Sequence, residues 1–263
     1  MITNYYRPQT LEEAITLLEK PGTKALAGGT LLSLPSDDVF DVVDLQALGL
    51  NKISKNGNNL EFDACVTLQQ ILESEICPDS LKNAIRIEAG LNIRNAATIA
   101  GTLAACDGRS AVGTVMLVFD AKLQTISSSK TNLISLGDYF PFRQKIFMTK
   151  IIIPVNVKSS FESVGRSQFD KPIVSACVVQ WNGGRTRLAL GGYKNTPLLA
   201  MDGTEAEGLS SAANNAFHEA GDQWATSEYR SSTAAALAVR CLNNLKLFFY
   251  LKLNTLEKKQ QKT

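Results

Sequence analysis

The chain is short of the residues from which most self-contained catalytic or metal centres are built. It holds a single histidine, His218. Ser–His–Asp chemistry would have to run through that residue, and no nucleophile elbow accompanies it. The cysteines (Cys65, Cys77, Cys106, Cys177 and Cys241) are scattered, odd in number and never spaced as CxxC. That spacing supports neither a disulfide framework nor an iron–sulfur or zinc cluster, so no metal ligands are expected. It fits reduced thiols in the cytoplasm. Surplus charge is also lacking: the formal net charge is +2. Without an excess of Lys and Arg to neutralise phosphates, no nucleic-acid partner is expected. No apolar run approaches the roughly 18 residues of a spanning helix; even "FFYLKL" is broken by lysine, and no membrane association is expected. The first residues, "MITNYYRPQT", show no charged leader followed by an apolar segment, so no signal peptide is expected.

What is present is a core-forming composition. Hydrophobic residues make up 44% of 263 positions, enough for one or two domains. Thr10 and Glu13 have capping-box spacing before "LEEAITLLEK", and Pro21–Gly22 ends that helix. "TKALAGGT" then reads as a short strand ending in two glycines, and Val42–Leu45 as another. Asn56–Asn59 turn a hairpin. Helices are expected at "LQQILESE" and, with Asp79 as N-cap, at "SLKNAIRIEAG". "SAVGTVMLVFDA" is apolar over nearly its whole width and predicts a buried helix. "AKLQTIS" and "KIIIPV" read as strands, with Ile126–Asn132 and "LGDYFPFRQ" as loops. From Pro172 a long hairpin turns at Asn182–Gly184, and helices follow at Leu209–Ala220 and Glu228–Leu251. Strands do not alternate regularly with helices, so the fold class is α+β rather than a doubly wound parallel sheet.

Two glycine-containing stretches carry the chemistry. Gly28–Gly29–Thr30 follows a strand directly; glycines there allow positive φ and a close approach to the backbone. Successive amides in such a turn form an anion-binding nest, to which Thr30 adds a hydroxyl. The same sequence also makes an ordinary tight turn, and the GxGxxG fingerprint is absent. The second stretch, "TIAGT" (Thr98–Thr102), repeats the order hydroxyl, small, glycine, hydroxyl and reads as a loop. Two such loops, one from each half of an N-terminal domain, can clamp a pyrophosphate between them.

These stretches, "YYRPQTLEEAITLL", "KALAGGTLLSLP" and "IRNAATIAGTLA…VMLVFDAKL", resemble the flavin-binding (medium) subunit of molybdenum hydroxylases. "GRSQFDKPIVSACVV", "LALGGYKNTPLLAMDGTEAE" and the C-terminal signature at Ser227, Tyr229 and Arg230 continue the resemblance, which spans about Tyr5 to Leu245. It implies a two-subdomain FAD-binding fold of the vanillyl-alcohol oxidase (PCMH) type followed by a smaller α+β domain of sheet plus helices. Residues 1–160 would hold FAD (subdomains about 1–55 and 56–160), residues 161–252 would form the C-terminal domain, and 253–263 would be a flexible basic tail. By motif position, Leu26, Ala27, Gly28, Gly29, Thr30 and Leu31 would wrap one side of the cofactor. Thr98, Ile99, Ala100, Gly101 and Thr102 would wrap the other, and Met148 would touch the flavin region. The implied function is electron transfer within a heteromeric oxidoreductase that works only as a complex. Molybdopterin would sit on a large subunit and [2Fe–2S] on a small one, with NAD⁺ or another acceptor reoxidising the FAD held here.

The chain departs from the family's pattern in "CDGRS". Where the family has Gly-Gly-Asn it has Ala100, Gly101 and Thr102, and the ungapped register puts Ala111 where the family has an Asp that contacts the cofactor. Asp107 falls near the expected diphosphate, where its charge repels the cofactor unless Arg109 or Arg94 offsets it. Glu162 falls close to where the family has a basic residue by the flavin ring. The alternative reading is therefore a degenerate member acting as a non-flavin assembly or structural subunit. In the ungapped register, Ala111→Asp raises FAD affinity. Cys106 reads as a small buried packing residue, and His218 as a helix-end surface residue.

Overall fold

The protein, seen in a computed structural model, is described over residues 1–128, 130–167 and 170–260, with side chains described through residue 247. Gln168 and Phe169, inside the resembling stretch "GRSQFDKP", and residues 261–263 of the expected tail lie outside the described residues.

The chain opens with β1 (Ile2–Tyr6), α1 (Leu11–Leu18), β2 (Thr23–Leu26) and β3 (Phe40–Asp44). The strands form a parallel sheet in the order β1-β3-β2. Thr10 caps α1 as its spacing predicts, its hydroxyl accepting from the Glu13 amide at 3.2 Å. Ala14, Ile15 and Leu18 then face Val43, Leu45 and Phe147. β1 was not legible: its side chains are mostly exposed, so no alternation marks it.

The second unit is an antiparallel sheet of order β4-β5-β8-β6-β7, built from β4 (Ile53–Asn56), β5 (Asn59–Asp63), β6 (Lys122–Ser127), β7 (Lys130–Ser135) and β8 (Phe147–Pro154). Between β5 and β6 run α2 (Leu68–Glu73), α3 (Asp79–Glu88), α4 (Leu91–Ala96), α5 (Ile99–Ala105) and α6 (Ala111–Val118); α7 (Leu136–Phe142) links β7 to β8. Three expectations change here. "TIAGT" is the start of α5, with the Thr98 hydroxyl accepting from the Gly101 amide, and not a loop. The stretch Ile126–Asn132 lies largely in the β6–β7 hairpin; β7 reads as loop because an edge strand carries polar side chains. "LGDYFPFRQ" contains α7, whose buried Leu136, Tyr139 and Phe140 keep a helical face despite Pro141. Asp79 is the first residue of α3 and Pro78 its N-cap.

The third unit is the sheet β12-β11-β10-β9, of β9 (Val157–Val164), β10 (Val174–Trp181), β11 (Thr186–Gly191) and β12 (Leu198–Gly203), followed by α8 (Leu209–Ala216) and α9 (Ser227–Gln260). The last helix thus continues to Gln260, where a flexible tail was expected from 253. β10 is buried on both faces, which is why it reads as a continuous apolar run. Its Cys177 and Val179 join the core around α6, while Val174, Ala176 and Val178 meet α8 and α9. α6 is the pillar between sheets: every one of its residues is buried.

Arg230 pins α9 to this sheet. It is fully buried, donates to Ile173 O and Ala220 O, and pairs with Asp222 at 2.9 Å. Burial opposes ionisation of Asp222, but hydrogen bonds from Arg230 and the Trp224 and Ala225 amides outweigh it and hold the carboxyl below its ordinary value. Asp222 itself is exposed, so what the loss of Arg230 strands is the carbonyls of Ile173 and Ala220, left without their donor. Arg230→Met is therefore expected to lower stability by about 3 kcal/mol, measured by urea denaturation. A depressed carboxyl stabilises the fold above the ordinary Asp range and loses that contribution as pH falls through it, so the gap between native and variant narrows below about pH 4.

Candidate functional site

Between the first two units lies a cleft of about 470 Å³, inside the usual range of roughly 300–1,000 Å³ for small-molecule sites. One wall is the segment leaving β2. Gly29 has φ +69°, and an ideal Cβ on Gly28 would lie 1.9 Å from Ala96 O at the end of α4. Only glycine can pass there, so Gly28 is what brings the first glycine stretch against the second. Among the described residues, the amides of Gly28, Gly29, Thr30, Leu31 and Leu32 donate to no protein group. All five residues line the cleft. These residues are half-buried or exposed, so their amides are open to water or to a ligand's acceptor, and a run of them marks a surface able to take one.

The facing wall is α5 with the end of α4. Its amides are already engaged: Ile99 to Val66 O, Ala100 to Ala64 O, Gly101 to the Thr98 hydroxyl and Thr102 to Thr98 O. This wall contributes smoothness rather than donors, through Ala97, Ala100, Gly101, Ala104 and Ala105. Of the residues singled out in the sequence, Ala27 to Leu31, Thr98, Ala100, Gly101, Thr102 and Met148 line the cleft. Leu26 ends β2 outside it, its carbonyl bonded to the Leu45 amide, and Ile99 is fully buried in the core beneath.

The "CDGRS" stretch points elsewhere. The Asp107 carboxylate accepts from the Arg109 amide and pairs with Lys171 at 2.6 Å. Neither Arg109 nor Arg94 supplies the compensating charge: the Arg109 guanidinium donates to Lys171 O and Pro172 O, and Arg94 to Gln69 and Ala89 O. Ala111 is fully buried in α6 and not part of the cleft. Glu162 lies on β9 and faces α9, paired with Arg240 at 3.2 Å and bonded by Asn244. Cys106 is the member of the stretch that lines the cleft, yet it is buried, and burial pushes its thiol up to about 12, so it packs rather than reacts at neutral pH. His218 is exposed beyond the end of α8, and Tyr229 is 44% exposed at the start of α9.

Two cleft residues escaped the sequence reading. Glu88 ends α3 and is the one acid among the described lining residues; Lys171 is the one lysine or arginine. Nothing in the sequence set either apart: Glu88 lies within the expected helix "SLKNAIRIEAG", and Lys171 just precedes Pro172, where the long hairpin was expected to begin. Burial drives the Glu88 carboxyl above its ordinary value, against hydrogen bonds from the Val112 amide and the Ser110 hydroxyl.

A largely apolar cleft between two α+β units, with a run of free amides on one wall, is a cradle for an elongated ligand bearing an anionic group. Comparison with known proteins says which. Residues 1–156 match the family described as the FAD binding domain in molybdopterin dehydrogenase. The chain belongs to that family, and it is an FAD-binding oxidoreductase subunit of the molybdenum hydroxylase class. It is similar to the uncharacterized protein YgfM of Escherichia coli, 27% identical over 226 residues, 82% of this chain and 86% of that one. It is likewise similar to the glyceraldehyde dehydrogenase medium chain of Sulfolobus acidocaldarius, 28% identical over 222 residues, covering 76% and 78%. Among solved structures, reconstituted CO dehydrogenase from Oligotropha carboxidovorans superposes with a TM-score of 0.80 at 22% identity, covering 94% of this chain and 99% of that one. Quinoline 2-oxidoreductase from Pseudomonas putida gives 0.76 at 22%, covering 93% and 97%. These two structural likenesses establish the shared fold.

The geometry reverses one expectation. An aspartate at position 111 would enter a fully buried site next to Ser110, whose hydroxyl already donates to Glu88 at 3.0 Å. Ala111→Asp is expected to destabilise the protein by about 2 kcal/mol or more and to leave FAD affinity unimproved, read by thermal denaturation and flavin titration. Gly28→Ala forces the two walls apart and is expected to lower both stability, by about 1–3 kcal/mol, and FAD binding.

Proposed function

We propose that this chain is the FAD-binding electron-transfer subunit of a heteromeric molybdenum hydroxylase. The observation that carries the reading is the run of unengaged amides from Gly28 to Leu32 along one wall of a cleft whose other wall is smooth. In this reading the diphosphate of FAD lies against those amides, with the Thr30 hydroxyl as a further donor, and each charge-assisted bond is stronger than its neutral counterpart. The α5 face of Ala100, Gly101 and Thr102 admits the cofactor closely because it presents no bulky side chain. Met148, on β8, borders the same cleft and supplies an apolar contact beside the flavin. Residues 1–160 hold the cofactor, and residues 161–252 form a C-terminal domain whose Lys171 borders the cleft. When bound, FAD accepts and passes on electrons one or two at a time. The chain's own part is to bind it, orient it and keep water from its buried face; no side chain here needs to act as a general base.

The electrons are taken to come from a small [2Fe–2S] subunit, itself served by a large molybdopterin subunit that oxidises the substrate. They leave to NAD⁺ or another acceptor, and the complex works in the cytoplasm. Among the described residues no helix is long and apolar enough to cross a membrane. The assembly-only alternative drew its force from Asp107 and Ala111. Asp107 is neutralised by Lys171 and Ala111 is buried outside the cleft, so neither obstructs a cofactor.

Co-expressed with its genomic neighbours and purified, the protein is expected to carry a flavin visible spectrum and to elute with two further subunits. A complex without a flavin band even after FAD addition refutes the reading. Bleaching of the band on substrate addition and its return with NAD⁺ identify the acceptor.

A further inference from the structure

Glu88 is an odd residue for its surroundings. It lines the cleft among Ala89, Ala97, Ala100, Ala104 and Ala105, where an apolar side chain would pack without penalty. Its carboxylate reaches from the end of α3 to the start of α6. Both oxygens lie 3.0 Å from the Ser110 hydroxyl, and Oε2 also accepts from the Val112 amide at 2.9 Å. A cap for α6 does not require it, because the Ser110 hydroxyl already accepts from the Gly113 amide at 2.9 Å. An ionised carboxylate offers about four acceptor positions, and these contacts leave Oε1 with one unused.

The ligand class follows from charge. A carboxylate repels a diphosphate, so the part of the ligand beside it is uncharged, and a carboxylate can only accept, so that part must donate. The uncharged donors of a flavin dinucleotide are the flavin N3–H, the adenine amino group and the hydroxyls of the ribityl chain and ribose. The hydroxyls are the ones that flank the diphosphate, and Glu88 shares its cleft with the amides that would hold that diphosphate. Resting on the reading of the cleft as an FAD site, we infer that Glu88 is a positioning residue that accepts a hydrogen bond from a sugar hydroxyl of the cofactor. The free amides of Gly28–Leu32 would then take the anionic middle of the same molecule.

The test compares native protein and Glu88→Gln, titrated with FAD, FMN and ADP by flavin fluorescence and calorimetry. Glutamine keeps an acceptor for the Val112 amide but turns a donor towards Ser110 and the cleft. Loss of a charge-assisted bond is expected to weaken FAD binding roughly tenfold or more. An equal loss with FMN and none with ADP identifies the ribityl chain; the reverse identifies the ribose. A purely structural role predicts a lower melting temperature. The inference predicts one unchanged or raised at neutral pH, since burial makes the ionised carboxyl unfavourable in the folded protein and glutamine removes that charge. Equal FAD affinity in both proteins overturns the inference and leaves the FAD site standing; native protein that takes up no FAD overturns both. Should Glu88→Gln fail to fold, native protein labelled with ¹³C-carboxyl glutamate decides. A shift of one carboxylate infrared band on FAD addition supports the inference, and its absence overturns it.

Discussion

The cleft depends on a junction made almost entirely of backbone atoms. Gly108, between α5 and α6, donates to Lys194 O at 3.1 Å and accepts from the Gly192 amide at 2.6 Å. A Cβ at Gly108 would lie 1.9 Å from Tyr193 O, so the two segments touch with no room for a side chain. The partnering turn is held in the left-handed region at Gly192 (φ +123°) and Lys194 (φ +63°). Arg143, itself at φ +43°, completes the junction: its guanidinium donates to Ala104 O and Cys106 O at the end of α5 and to Asn195 O of the third unit. Left-handed backbone at a non-glycine residue costs about 1–2 kcal/mol. That strain is offset because one side chain satisfies carbonyls that the end of α5 would otherwise leave unpaired.

From this junction follows a division of labour around the cleft. α5 is clamped from below, so its outer face can be built from alanine and glycine without collapsing inward. The segment after β2 is held by the close approach of Gly28 to Ala96, by Ala27 packing on the core, by short-range bonds such as Ser33 N–H to Gly29 O and by Asp38 pairing with Lys24, none of which uses the amides of Gly28–Leu32. A symmetric pair of glycine loops clamping a pyrophosphate from both sides is thus not what the chain builds. One side donates and the other offers close contact. The symmetry of "AGGT" and "TIAGT" in the sequence conceals this, because the second stretch spends its donors on starting a helix.

Legibility tracked how much of each element's environment was local. Thr10 with Glu13, the buried α6 and the hairpin turning at Asn182–Gly184 all follow from nearest-neighbour physics, and the structure has them. β1 and β7 escaped because one strand is solvent-exposed and the other an edge, so neither carries an apolar period. α5 escaped because Gly101, two residues after its start, reads as a loop signal until the Thr98 cap is seen. The cleft was legible through its glycines, which exclude side chains wherever they are placed. Glu88 and Lys171 were not, because their meaning comes from α6 and Asp107, partners 24 and 64 residues away in sequence.

The "CDGRS" segment shows how a departure from a family's pattern can leave the pattern's purpose intact. Asp107 is engaged by the Arg109 amide and Lys171, Gly108 by the 192–194 turn, and Ser110 by the start of α6. Arg109 bonds Lys171 O and Pro172 O, and its guanidinium stacks 4.7 Å from the Trp224 ring. Apart from the pair with Lys171, which borders the cleft, these contacts run towards α6 or the third unit. The stretch thus serves mainly to attach the C-terminal sheet. Attachment and binding nevertheless remain linked. The helix that this junction immobilises is the wall of the cleft, and the residue through which Ser110 is held, Glu88, opens into it.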